Sequence, residues 1–91
     1  MIAQFVFATT LSANTFCGGL AEFAGVAMQL RQSNIPLHVA TEWIEPGPEE
    51  LLLKAVLEEA YRQPQAPEHL QREVRVDYQN AIYLGCVEAT R

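Results

Sequence analysis

The hydrophobic positions of this chain fall into blocks of differing period, and each block predicts an element. Residues 2–8, Ile2-Ala-Gln-Phe-Val-Phe-Ala, carry Gln4 as their one polar member. A run of aromatic and β-branched residues that is apolar on both faces predicts a strand inside a sheet, covered on two sides. Residues 9–15 bring Thr9, Thr10, Ser12, Asn14 and Thr15 together, a composition that predicts a loop bonded to its own backbone or to a ligand. Over residues 18–33 the spacing turns helical. Leu20, Phe23, Ala24, Ala27 and Leu30 form one stripe, Ala21, Val26 and Met28 widen it, and Ser33-Asn34 supplies the stop. Residues 35–44 alternate again, with Leu37, Val39, Thr41 and Trp43 on one face and His38, Ala40 and Glu42 on the other. Strand, helix and strand in succession predict a right-handed βαβ crossover.

Glu45-Pro-Gly-Pro48 breaks the chain, and Pro48 followed by Glu49 and Glu50 predicts a helix start. The second helix covers residues 48–63. Leu52, Leu53, Val56, Leu57, Ala60 and Tyr61 face inward, with Glu50/Lys54 and Glu58/Arg62 as i,i+4 pairs on the wet side. Pro64 and Pro67 end it and open a linker over residues 63–67. In the tail, Val74, Val76 and Tyr78 alternate with Glu73, Arg75 and Asp77, which predicts a half-exposed strand. A turn at Gln79-Asn80 then leads to a last strand over residues 81–87, and a helix over residues 68–84 is the competing reading. The expected fold is α/β, with α+β as the alternative: one domain over residues 1–91, ordered βαβαββ, with a mixed sheet and two helices.

Composition sharpens this picture. At 91 residues and 49% hydrophobic content the chain has enough apolar surface to fold, as one small domain. A net charge of −5 with six Lys and Arg suits no phosphate backbone, so no nucleic acid is expected. The acidic residues are too scattered for mimicry of one. No basic n-region precedes the first apolar run and no apolar run reaches membrane-spanning length, so neither export nor a membrane is expected and the location is read as cytoplasmic. The first helix is apolar over most of its circumference, more than so few elements can cover. That predicts a homo-oligomer, most simply a dimer, or a protein partner, seated on Leu20, Phe23, Ala24, Ala27, Met28 and Leu30.

The corner Cys17-Gly18-Gly19 is the feature with a mechanism attached. Glycines opening a helix let backbone N–H groups approach an anion, and the helix dipole favours negative charge there. The expected ligand-binding set is therefore Thr9, Thr10, Ser12, Asn14, Cys17, Gly18 and Gly19. The same location lowers a thiol pKa, which makes Cys17 a candidate nucleophile with His38 as its nearest base by topology. Against that stands the plainer reading of Cys17 and Cys86 as buried thiols; a disulfide between them is the third option. No complete catalytic set, metal-ligand spacing or cofactor motif is present.

The run Thr9 to Arg31, with Phe16-Cys-Gly-Gly-Leu20 at its centre, followed by Ile35-Pro-Leu-His-Val-Ala-Thr41, resembles the N-terminal segment of GT-B glycosyltransferases of the glycogen/starch synthase type. The resemblance covers residues 2–41. It implies a strand–loop–helix–strand start, with Gly18, Gly19 and Leu20 at the phosphates of a sugar nucleotide. Phe16-Cys17 stands where that family carries Lys-Thr. The element order, with Cys17 opening the first helix, is also similar to a thioredoxin-like domain, although Leu20 occupies the position of the second redox cysteine. The leading expectation is a small, acidic, soluble, non-catalytic α/β protein that associates through its first helix. Phosphate or nucleotide binding by the loop over residues 9–19, or monothiol chemistry at Cys17, are the alternatives.

Overall fold

The computed structural model describes the backbone of residues 2–91 and the side chains of residues 15–91. Among the described residues every regular element is a helix. In chain order they are α1 (Ile2–Gln32), α2 (Leu37–Thr41), α3 (Glu50–Arg62), a 3₁₀ turn (Glu68–Leu70) and α4 (Gln71–Ala89). The α/β expectation, the βαβαββ order and the mixed sheet are therefore overturned. With them go the GT-B and thioredoxin-like resemblances, both of which require a sheet at the core.

The reasons are local. No proline interrupts the chain before Pro36, and a short run apolar on both faces is compatible with a buried helix as well as a strand. Gly18 and Gly19 cost about 1 kcal/mol each relative to alanine, which is too little to stop a helix held by the rest of its length. α1 runs through both the predicted strand over residues 2–8 and the predicted loop over residues 9–15. It ends at the predicted stop. Asn34 adopts φ 64°, the Ile35 N–H donates to the Leu30 carbonyl at 3.0 Å and the Asn34 N–H to that of Arg31 at 3.1 Å. These are the two bonds of a Schellman cap.

Pro36 then presets the backbone for α2 in place of the second predicted strand. The N–H groups of Val39 and Ala40 both donate to its carbonyl, at 3.1 and 3.0 Å. In the tail, Val74, Tyr78, Ile82 and Cys86 recur every fourth residue. That helical stripe packs on the core with Tyr78 buried, so the competing helix prevails over the hairpin.

α4 runs antiparallel to α1. Cys17 pairs with Cys86 near one end, and Arg75 Nη1 donates to Gln29 Oε1 at 3.3 Å near the other. α3 runs parallel to α1, because Phe16 and Leu20 share one recess with Leu52 and Leu53 while Arg31 Nε donates to the Gln63 carbonyl at 2.9 Å. The segment carrying α2 returns the chain along the molecule between them. The core is Leu20, Ala24, Ala27 and Met28 of α1, Ala40 of α2, Val56, Leu57 and Ala60 of α3, and Tyr78 of α4. The small residues let the helix axes approach closely, within one chain.

The buried amide of Gln32 fastens the α3–α4 linker. Its Nε2 donates to the Pro64 carbonyl at 3.2 Å and its Oε1 accepts from the Ala66 N–H at 2.7 Å. No helix among the described residues is long and apolar enough to cross a membrane.

Candidate functional site

The predicted anion corner loses its geometry in this fold. Gly18 and Gly19 lie in the middle of α1 (Ile2–Gln32), so the corner is not a helix N-terminus. Inside a helix the backbone N–H groups bond to carbonyls four residues earlier and are not free for a phosphate. Thr9, Thr10, Ser12 and Asn14 fall on the same helical backbone, and their side chains lie outside the described residues. Cys17 is 0% exposed and forms a disulfide with Cys86, their Cα atoms 5.5 Å apart. It therefore offers no thiolate, and the readings that depend on one do not survive. His38 stands exposed on α2.

The predicted association face is likewise occupied. Leu20, Ala24, Ala27 and Met28 are buried within their own chain, and Phe23 and Leu30 pack half-buried against them. Over the described side chains of α1, this stripe is covered by α3 and α4, while Phe16 and Val26 stay exposed at 40% and 50%. Among the described residues no three His, Cys, Asp or Glu side chains gather closely enough to hold a metal ion.

Two surface features combine apolar walls with exposed aromatic side chains. The first is a recess of about 330 Å³ beside the disulfide, lined by Phe16, Leu20, Leu52, Val56, Ile82 and Cys86 among others, with Thr90 as its polar edge. The second is the corner between α2 and α3. There the chain turns twice on backbone bonds, from the Trp43 N–H to the Ala40 carbonyl and from the Ile44 N–H to the Thr41 carbonyl, both 3.1 Å. The turn sends the Ile44 side chain toward the core and leaves Trp43 62% exposed. Pro46-Gly47-Pro48 follows. A recess of about 490 Å³ lies between Trp43, this loop, Phe23 of α1 and Leu53 of α3.

The corner is also electrostatically one-sided. Glu42, Glu45 and Glu49 are exposed, and Glu45, Glu49 and Glu50 line the recess. Glu50 meets Lys54 Nζ at 2.7 Å, and that hydrogen bond, with the lysine charge behind it, holds the Glu50 carboxyl below the usual carboxylate range. The predicted Glu58/Arg62 pair is not formed; Arg62 instead lies 3.8 Å from Glu59. Sequence reasoning missed the corner because Trp43 reads as the last residue on one face of an alternating strand. A signal was available: the one tryptophan of the chain sits between Glu42 and Glu45, three residues before Pro46-Gly47-Pro48.

Fold and surface together define a small, all-helical domain locked by one internal disulfide. No protein-family model matches the sequence, and no curated protein or solved structure is similar enough to match it.

Proposed function

We propose that this chain is a disulfide-locked binding module of an oxidising compartment, and that it docks a different protein at the α2–α3 corner. The observation that carries the reading is Trp43, 62% exposed above a recess whose walls include Phe23 and Leu53. Exposed tryptophan at a rigid, partly concave surface is the residue type most enriched among binding hot spots. Pro46 and Pro48 fix two backbone angles of the rim, which lowers the ordering cost of docking.

A second copy is the weaker candidate for the partner. A two-fold interface sets the same patch against itself, which here would place Glu42, Glu45 and Glu49 opposite their own equivalents. Burying like charges face to face is unfavourable. The compartment follows from the bonded cysteines: disulfides persist where thiols are not continuously reduced, which weighs against the cytoplasm.

Photo-crosslinking from a benzoylphenylalanine placed at Leu51, which is 81% exposed at the start of α3, tests where the partner docks and whether it is a different protein. The expected result is one dominant adduct with another protein, lost in Trp43→Ala and retained in Leu84→Ala, a change at an equally exposed apolar residue on α4. An adduct mass equal to two copies of this chain, or an adduct indifferent to Trp43→Ala, would overturn the reading.

A further inference from the structure

Resting on the corner reading above, we propose that the partner segment seated there is cationic, with an arginine side chain stacked on Trp43. The apolar floor alone does not choose a ligand; the charges around it do. Glu42 neighbours Trp43 in the chain, and Glu45 and Glu49 line the recess. Among the described residues none of the three makes an ion pair, and the one lysine of α3's first turns is already engaged by Glu50. A neutral apolar segment entering this recess would draw the carboxylates of Glu45 and Glu49 toward a drier environment with nothing to offset them, which is costly. An anionic segment would be repelled.

Arginine meets each demand of the site. Its guanidinium stacks on an indole face, the most favourable ring for a cation. Its five donors reach neighbouring carboxylates in forked geometry, and its aliphatic stem covers apolar surface such as Ile44 and Leu53. Lysine satisfies the charge but neither the planar stack nor the fork. The net charge of −5 adds long-range attraction for a basic partner.

Anisotropy titration of the oxidised full chain tests the inference, with three fluorescein-labelled six-residue probes: all-arginine, all-lysine, and a neutral alternation of leucine and serine. At about 150 mM salt the arginine probe is expected to bind several-fold more tightly than the lysine probe, and the neutral probe not to bind. Trp43→Ala is expected to weaken arginine binding by about tenfold, and the double variant Glu45→Gln/Glu49→Gln by a similar factor. The charge-matched control Glu58→Gln/Glu73→Gln, with both positions exposed on other faces, should change it less than about twofold.

Equal losses in the two double variants would reduce the effect to net charge and overturn the inference. Binding of the neutral probe in preference to arginine would overturn it while leaving the corner as a docking site. Failure of all three probes would overturn it as well, and the crosslinking result then decides separately whether the corner docks a protein at all.

Discussion

Tyr78 shows how one side chain joins two helices. Its ring is buried between α1, α3 and α4, and its hydroxyl donates to the Val56 carbonyl of α3. Burial pushes the phenol up to about 12, Glu59 adds to the shift and a backbone contact at Ala60 opposes it. The unfolded phenol titrates near 10. Between those values the unfolded chain has lost the proton and the folded chain still holds it, so stability falls as pH rises through that window and is flat below it. Tyr61, whose hydroxyl donates to the Ile35 carbonyl at 2.6 Å, is shifted in the same direction by burial. Tyr78→Phe is expected to cost about 1 kcal/mol at pH 8, the net worth of one buried hydrogen bond. It should also remove about 1 kcal/mol of the stability otherwise lost between pH 9 and pH 11. Urea unfolding at the three pH values checks both parts. An unchanged pH dependence in the variant would mean that Tyr78 does not titrate in this window.

At the scale of elements, the legible parts of the fold were those with two agreeing signals. α3 was foreseen almost to its ends because an apolar stripe, a proline break and the Glu50/Lys54 spacing all pointed to one helix. The stop at Ser33-Asn34 was equally clear, and the structure closes it with a Schellman cap. The first half of α1, together with α2 and α4, reads otherwise because period alone cannot separate a helix from a strand over a few residues. In residues 73–78 the alternation is real, yet the fourfold recurrence from Val74 to Cys86 aligns more residues with the core, and Val76 is left exposed as its price. The site was the least legible. The anion corner depends on Gly18-Gly19 opening a helix, and the glycines lie inside one, each with nothing among the described residues within 4 Å of an added Cβ. Their backbone angles demand no glycine, since no described glycine has positive φ. Gly18→Ala and Gly19→Ala are therefore expected to stabilise the chain by about 0.5–1 kcal/mol each, through helix propensity. Gly25→Ala should be close to neutral, because its Cβ would stand 2.6 Å from the Gln79 amide nitrogen and that flexible side chain must swing away. Thermal unfolding followed by circular dichroism ranks the three. Destabilisation by Gly18→Ala would show that another surface packs against that stretch of α1.

For the molecule as a whole, the disulfide ties the middle of α1 to the C-terminal end of α4, and the linker contacts hold the C-terminal end of α1. Cys17 and Cys86 join the two helices there, and Arg31 and Gln32 hold residues 63–66 at the end of α1. The bond closes a loop with a sequence separation of 69, which contains α2, the Trp43 corner and α3. A domain of this size has a small core, so limiting the freedom of the unfolded chain is a large share of its stability. The chain-entropy relation assigns a loop of that length about 4 kcal/mol. At about 4–8 °C per kcal/mol for a domain below a hundred residues, the double variant Cys17→Ala/Cys86→Ala is expected to melt roughly 20 °C below the oxidised protein. The wild type scanned in a phosphine reductant should fall to the same range, whereas alanine at both positions also deletes the sulfur contacts and sets the lower limit. Because the corner lies within the closed loop and Phe23, Ile44 and Leu53 connect it to the core, reduction should loosen the corner together with the helices. Emission from Trp43, the one tryptophan, then reports the same midpoint as the helical signal at 222 nm. A midpoint within about 5 °C of the oxidised protein would show that the cross-link adds little, and would shift the weight of the fold onto the Tyr78 and Gln32 bonds.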